Sequence, residues 1–206
     1  MAKKSVEKRK LILEHAERIF SQKGFSAVTM KDIVDACHIS RGGIYLYFSS
    51  TDEIFMEVIK LHHQDCMEII KNKMNKDNDF QDIIDEYFQN LKQDMKNIKG
   101  SLKLAMIEFF ISHKAAPDND FFVEAMNGLK APIFEMLSLG KNQNKIFYQN
   151  ISQIADLVFY WLIGLEEIML STDVPEKSIN DQIDLMKNLL LSGKLRLGDD
   201  ENERNF

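Results

Sequence analysis

Helix-breaking residues are scarce in this chain. It has nine glycines and three prolines among 206 residues, about 6%, roughly half the share of an average protein. A fold of many short strands needs more turns than these residues supply, so long helices are favoured. No stretch alternates apolar and polar residues for long enough to predict a strand. The sequence therefore predicts an all-α fold.

Several simple features bound the class of protein. Cys37 and Cys66 are the only two cysteines, too few for a disulfide framework. The longest apolar run, residues 157–165, is far shorter than the ~20 residues of a membrane-spanning helix. The basic N-terminus is not followed by the apolar core of a signal peptide. We therefore expect a soluble, cytoplasmic protein without a membrane partner.

Charge is distributed unevenly along the chain. Residues 1–50 hold nine Lys and Arg against five Asp and Glu, a net +4, whereas residues 51–206 hold 17 against 27, a net −10. The overall −6 argues against a protein that coats nucleic acid through charge alone. A small basic head on an acidic body is typical of local DNA binding, although a solvated surface would look the same.

The head, residues 1–50, predicts three short helices. The first covers about residues 6–23, where apolar residues recur at helical spacing. The second begins after Thr29, a good N-cap residue. A third follows Ser40, also an N-cap residue, and covers residues 41–48. Two short helices joined by a three-residue turn predict a helix-turn-helix.

The body predicts a long connecting helix and then about five more. Ser50 and Glu53 form a capping box that begins the connecting helix. Pro132 should kink or divide the helix that contains it. We predict a head domain over 1–50, a second domain over 51–195 and a disordered acidic tail over 196–206. The later helices are expected at about 80–97, 101–114, 119–140, 149–171 and 176–193.

One segment carries a family resemblance. Residues 29–54 read TMKDIVDACHISRGGIYLYFSSTDEI, and their spacing resembles the TetR family of bacterial transcription regulators over about residues 8–60. The resemblance implies an N-terminal three-helix DNA-binding head with a helix-turn-helix. A long helix would join it to a C-terminal helical domain for ligand binding and dimerisation. It further implies a sequence-specific DNA-binding regulator, and most relatives of this kind are repressors.

The third predicted helix carries residues suited to DNA. Gly42 and Gly43 each cost about 1 kcal/mol of helix propensity, which is consistent with a close backbone approach to DNA. Ser40 can offer its hydroxyl and the helix N-terminus to a phosphate. Arg41 can pair with two guanine acceptors in the major groove. A surface ion pair is the alternative role for Arg41.

Two tyrosines complete this helix, with Ile44 and Phe48 expected on its buried face. By resemblance, Tyr45 faces the groove and Tyr47 the phosphates. Lys31 resembles a position where some relatives place a basic residue into the groove, although plain solvation would also explain it. The predicted DNA-binding set is Thr29, Lys31, Ser40, Arg41, Gly42, Gly43, Tyr45, Leu46, Tyr47 and Thr51.

Two features concern phosphate contacts. Thr51 stands where the family usually has lysine, so we keep it as a neutral phosphate ligand. We expect DNA binding to depend less steeply on salt than in a relative that has the lysine. A basic arm of Lys3, Lys4, Lys8, Arg9 and Lys10 is expected to add salt-dependent affinity.

The last two long helices carry an apolar face. By resemblance they form a homodimer, through an intersubunit four-helix bundle, and an intramolecular core is the alternative. Dimerisation would place two head domains on the half-sites of a palindromic operator, ~34–36 Å apart. The predicted dimer interface is Ile154, Val158, Leu162, Ile183, Met186 and Leu190.

Large adaptable side chains in the body predict a pocket for a small, largely apolar effector. Many of them would serve equally well as ordinary core. One acidic residue, Glu108, could counter a cationic ligand, and a solvated position is its alternative. The predicted ligand set is Met106, Glu108, Phe109, Phe110, Phe122, Met126, Phe134, Tyr160 and Trp161.

Other functions find little support. His62 and Cys66 are four apart on a helix, but two ligands are a weak metal motif, so neither a metal nor a cofactor is expected. No catalytic motif is present, which leaves a helical-bundle enzyme as a remote alternative. A DNA-binding regulator controlled by a protein partner also remains open.

Overall fold

The computed structural model describes residues 2–74, 78–113 and 120–193, with side chains from residue 5 onward. These residues form nine α-helices and a 3-10 turn at Ile98–Gly100, and they include no strand. The predicted all-α class is confirmed. The helices are α1 (Ala2–Lys23), α2 (Met30–Cys37), α3 (Arg41–Tyr45), α4 (Thr51–Met74), α5 (Phe80–Lys96), α6 (Lys103–Ser112), α7 (Asp120–Asn142), α8 (Ile151–Ser171) and α9 (Glu176–Ser192).

The third helix is shorter than predicted. α3 ends at Tyr45 rather than Phe48 because the chain tightens there into a turn. The backbone N–H groups of Tyr47 and Phe48 both donate to the carbonyl of Ile44, at 2.8 and 3.1 Å. These two hydrogen bonds hold the backbone of residues 44–48 in the turn.

The proline in α7 does not divide the helix. Pro132 lies inside a continuous helix of 23 residues, so of the two predicted outcomes, a kink or a division, the division does not occur. Proline lacks the N–H for one intrahelical hydrogen bond. Ile133, Met136 and Leu137, which follow it, are almost completely buried, and this burial offsets the loss. The predicted tail lies outside the described residues.

The chain divides into two compact units, with divisions inside α4, at the end of α5 and inside α7. The first comprises Met1–Met67 and Lys96–Leu129, and the second Glu68–Met95 and Lys130–Phe206. The helix-turn-helix therefore shares a unit with α6.

Aromatic rings from three helices form the core of the first unit. Phe20 of α1 and Phe55 of α4 are fully buried, with ring centroids 4.6 Å apart. Phe109 of α6 lies 5.1 Å from Phe55 and 4.9 Å from Phe25, which follows α1. Such pairs add about 0.5–1.5 kcal/mol each beyond the area that they bury. α6 is thus built into the same core as the helix-turn-helix.

In the second unit, a glycine contact packs α7 against α5, and a buried tyrosine is hydrogen-bonded to α9. A Cβ on Gly140 would lie 2.7 Å from the ring of Phe80, so only glycine lets α7 approach α5 this closely. The one hydroxyl proton of Tyr148 is shared between the carbonyls of Leu189 and Leu190, at 2.9 and 3.1 Å, both near the end of α9.

His63 of α4 is a neutral histidine in the first unit. Burial, with His62 and Lys103 nearby, lowers its pKa from 6.5 to about 4. A Cβ on Gly128 would lie 2.5 Å from its Nδ1. Its buried Nε2 has no hydrogen-bond partner among the described residues. The imidazole therefore stays unprotonated in the folded protein above about pH 4.

We expect this histidine to make the fold acid-sensitive. In the unfolded chain His63 binds a proton below about pH 6.5, whereas the folded chain binds it only near pH 4. Stability should therefore fall as the pH drops from 6.5 to 4, by about 1–2 kcal/mol after allowance for partial solvent exposure. Urea unfolding across this range should show the loss, and His63→Leu should remove it. His15→Leu is the control, and an equal pH dependence in His63→Leu would contradict the assignment.

None of the helices in the described part of the chain is long and apolar enough to cross a membrane. Among the same residues, no group of three or more His, Cys, Asp or Glu side chains could hold a metal ion. His62 Nε2 and Cys66 Sγ, which prompted the metal alternative, lie 3.9 Å apart.

Candidate nucleic-acid interface

The start of α3 is held by its cap. The Ser40 hydroxyl accepts the backbone N–H of Gly43 at 3.2 Å, and Ser40 itself is exposed. This bond satisfies one of the free N–H groups at the start of the helix. The remaining N–H groups and the exposed hydroxyl lie at the surface, where the sequence predicts a phosphate contact.

The side chains of α3 and the following turn fall into four rows, each with two residues four positions apart. Ile44 and Phe48 form the buried row, with at most 1% of either residue exposed, which confirms the predicted core face. Arg41 and Tyr45 form an exposed row, with the guanidinium carbon 5.8 Å from the ring centroid of Tyr45. The third and fourth rows are Gly42 with Leu46 and Gly43 with Tyr47.

The two glycines have different surroundings. A Cβ on Gly42 would meet nothing within 4 Å, so this glycine is free to face an external partner. A Cβ on Gly43 would lie 2.7 Å from Cγ2 of Ile39, so the protein itself leaves no room for a side chain at this position. The sequence predicted close approach to DNA for both glycines, and the structure supplies an internal reason for Gly43.

Alanine at these two positions should therefore have opposite effects on stability. Gly42→Ala adds helix propensity without a clash and should stabilise the fold by up to about 1 kcal/mol. Gly43→Ala forces Ile39 to move and should destabilise it by about 1–2 kcal/mol net. Thermal unfolding of the two variants measures the difference directly. Equal shifts for both would mean that the contact with Ile39 does not constrain Gly43.

The first turn of α2 is a complete capping box. The Thr29 hydroxyl accepts the backbone N–H of Asp32, and the Asp32 carboxylate accepts the backbone N–H of Thr29. Hydrogen bonds from Lys23 and Thr29 hold the pKa of Asp32 well below its usual range. The Lys23 ammonium lies 2.6 Å from that carboxylate. Lys31, beside this network, is exposed and available to an external phosphate or base.

One member of the predicted basic arm has an internal role. Arg9 pairs with Glu57 of α4 at 3.0 Å, and its guanidinium lies 4.9 Å from the ring centroid of Phe48. It thereby joins α1 to α4 beside α3, an arrangement that sequence could not reveal because these contacts are distant along the chain. Lys8 and Lys10 are exposed, whereas the side chains of Lys3 and Lys4 lie outside the described residues.

The cap of α4 differs slightly from the predicted box. The Ser50 hydroxyl accepts the N–H of Glu53 at 3.1 Å, as expected. The Glu53 carboxylate instead reaches Ser49, accepting its N–H and its hydroxyl at 2.7 Å each. These bonds lower the pKa of Glu53. Thr51 is half-buried in the first turn, where its hydroxyl adds no charge.

Two polar contacts join α6 to the segments on either side of the helix-turn-helix, within the first unit. The Glu108 carboxylate accepts the backbone N–H of Ser26 at 2.8 Å. Gly24 has a φ of +77°, and a Cβ there would lie 2.8 Å from that carboxylate. At the end of α6, Nε2 of His113 lies 3.0 Å from Oδ1 of Asp52 in the first turn of α4. Glu108 was predicted in the ligand set, and its contact with Ser26 gives it a different role.

The remaining predicted ligand residues do not share one environment. Met106 and Phe109 are buried in the core of the first unit. Phe110 and Phe122, from α6 and α7, form an edge-to-face pair at 5.2 Å and keep some exposed surface. Half-buried Met126 lies in the same unit. Three residues belong to the second unit: Phe134, Tyr160 and Trp161.

The predicted dimer interface is mostly core. Five of its six side chains are buried within one protomer, so they are not available to a partner, and only Leu162 is half-buried. Within the single chain, the apolar periodicity of α8 and α9 forms core, as in the intramolecular alternative. The five buried residues are Ile154, Val158, Ile183, Met186 and Leu190.

Comparison with known proteins agrees with this geometry. A family model for bacterial regulatory proteins of the tetR family matches residues 12–58. Over 154 residues the chain is 29% identical to the uncharacterized HTH-type transcriptional regulator YfiR of Bacillus subtilis (strain 168), which covers 73% of each protein. A TetR-family regulator from Syntrophomonas wolfei matches 94% of this chain and 100% of its own, with a TM-score of 0.69 and 15% identity. The fatty acid degradation regulator FadR from Bacillus halodurans matches 92% and 97%, with a TM-score of 0.63 and 18% identity. The segment that carries the capped helix-turn-helix is thus similar to bacterial regulatory proteins of the tetR family, and the longer match is to an HTH-type transcriptional regulator.

Proposed function

We propose that this DNA-binding regulator is a homodimeric repressor that a small, largely apolar effector releases from a palindromic operator. In this proposal residues 1–50 bind the operator, and residues 51–195 carry the effector site and the dimer interface. The observation that carries the release mechanism is the hydrogen bond between Glu108 of α6 and Ser26, beside the helix-turn-helix. It fixes the head to a helix outside it.

The mechanism follows from the contacts of α6. Glu108 holds the α1–α2 turn, and His113 meets Asp52 at the start of α4. A ligand that moves α6 would disturb both contacts, and with them the position of α3. An effector shifts the equilibrium only if it binds the displaced form more tightly than the DNA-bound form.

We place the effector contact at the exposed apolar surface of α6 and α7. Phe110 and Phe122 are paired there, and the neighbouring Ile111 and Val123 are exposed. Aromatic and aliphatic side chains with free surface suit an apolar ligand. Fatty acids belong in a first panel of ligands, since one protein of the same fold is named as a fatty acid degradation regulator.

We propose a dimer face different from the one read from the sequence. Leu157, Tyr160, Gly164 and Ile168 recur at helical spacing along the outer side of α8. Three of them have large exposed side chains, and Leu185 adds another on α9. A Cβ on Gly164 would meet nothing within 4 Å, so a second helix can approach closely there. An exposed apolar stripe of this kind is typical of a protein interface.

Selection of bound duplexes from a random pool, followed by ligand challenge, tests the proposal. The full chain should recover a palindrome with half-sites about one helical turn apart. At least one apolar compound that binds the protein, and so raises the protein's melting temperature, should weaken operator binding tenfold or more. If every compound that binds the protein leaves operator affinity unchanged, the effector mechanism fails while DNA binding stands. A regulator controlled by a protein partner would give that result.

A further inference from the structure

The row formed by Gly42 and Leu46 is exposed and entirely apolar, whereas the other rows of α3 are buried or carry polar groups. Leu46 is 83% exposed, the highest value among the large apolar side chains that the structure describes as exposed. We propose that Leu46 reads the C5-methyl group of a thymine in the major groove and so sets part of the operator sequence. The inference rests on the DNA-binding function and adds a specificity-determining contact to it.

The direction of Leu46 is fixed by its neighbours. Ile44 and Phe48, two positions before and after it, are anchored in the core. Residues two apart on a helical turn point in nearly opposite directions. The φ and ψ of Leu46, −72° and −18°, continue the helical geometry of α3. Its side chain must therefore point away from the protein.

The turn also limits the freedom of this side chain. Leu46 lies between Ile44 and the two residues whose N–H groups donate to the Ile44 carbonyl, Tyr47 and Phe48. A leucine on such a backbone starts from a Cβ at a defined position. This distinguishes it from an apolar residue on a mobile loop, which would lose more entropy on binding.

Gly42 gives Leu46 access to a base edge. It lies one helical turn before Leu46 on the same side, and the space beyond its missing side chain is open. The backbone can therefore come close to the DNA at Gly42. Leu46 then extends beyond the backbone surface, towards the floor of the groove.

The chemistry of the groove identifies the target. Hydrogen-bond donors and acceptors dominate the base edges, and the thymine methyl group is the apolar feature among them. A leucine side chain cannot make hydrogen bonds, so that methyl group is the feature it can select. Arg41, in the adjacent row, has the complementary chemistry for guanine. The two rows together predict a half-site that contains both bases.

Uracil substitution tests the contact atom by atom. The probe is the duplex recovered by selection with the wild-type protein, resynthesised with each thymine in turn replaced by uracil, which lacks only the methyl group. At one position in each half-site, wild-type binding should weaken about fourfold, the value expected for one buried methyl group. Leu46→Ala should weaken binding to the thymine duplex and lose its sensitivity to uracil at that position alone.

The controls separate readout from structure. Leu61→Ala removes another leucine with exposed surface in the same unit and should retain the full uracil penalty. Circular dichroism should show Leu46→Ala to be folded. The proposal is overturned if no uracil substitution affects wild-type binding, or if Leu46→Ala keeps the same penalty as wild type. Failure to select any duplex would instead count against DNA binding itself.

Discussion

In the proposed dimer, Arg41→Ala should lower the affinity for the selected duplex by a factor on the order of 10²–10⁴. A bidentate contact between arginine and guanine contributes about 1–3 kcal/mol, and a dimer loses two of them. The guanidinium is exposed and lies 5.8 Å from the ring centroid of Tyr45, which orients it without satisfying its donors. Fluorescence anisotropy with the selected duplex measures the loss.

The salt dependence distinguishes base reading from phosphate contact. If Arg41 pairs with a base, the slope of log K against log salt should hardly change in Arg41→Ala. If it meets a phosphate, the slope should fall by about one for each protomer. Arg18→Ala is the matched control, because Arg18 is exposed on α1 and donates to the Glu14 carbonyl of its own helix. An Arg41→Ala protein that binds like wild type would remove Arg41 from the interface.

Local features of the head could be predicted from the sequence because they depend on near neighbours. The Thr29 cap, with Asp32 three residues later, is determined within one helical turn. The burial of Ile44 and Phe48 follows from their four-residue spacing. The early end of α3 was missed, since a helix and a tight turn place these residues on the same side.

Contacts between distant residues could not be predicted in this way. Glu108 is 82 positions from Ser26, and an isolated glutamate on an apolar helix suggests a ligand contact as readily as a structural one. Gly43 resembles Gly42 in sequence, and only the position of Ile39 separates them. Periodicity likewise shows that α8 has an apolar face, but not whether the same chain or a second one covers it.

The proposed dimer interface on the exposed stripe of α8 and α9 is best tested by placing a charge in it. Ile168 and Leu185 are each about half exposed, at 51% and 50%, so glutamate at either position can remain solvated in a monomer. In a symmetric dimer each substitution would place two unpaired carboxylates in an apolar interface, at a cost of several kcal/mol. The dimer dissociation constant of Ile168→Glu or Leu185→Glu should therefore rise by about 10³ or more. Analytical ultracentrifugation measures it, and operator affinity should fall in parallel.

The two possible faces of these helices predict different kinds of failure. Phe147→Glu is the matched control, because Phe147 is 77% exposed in the same unit but precedes α8; it should remain dimeric. Met186→Ala, at a buried position, should cost about 2–5 kcal/mol of fold stability with little effect on dimer affinity among the molecules that stay folded. If Met186→Ala is a folded monomer and Ile168→Glu is still a dimer, the interface predicted from the sequence is the correct one. The opposite pair of results would establish that the inner face of α8 holds one protomer together while the outer face holds two.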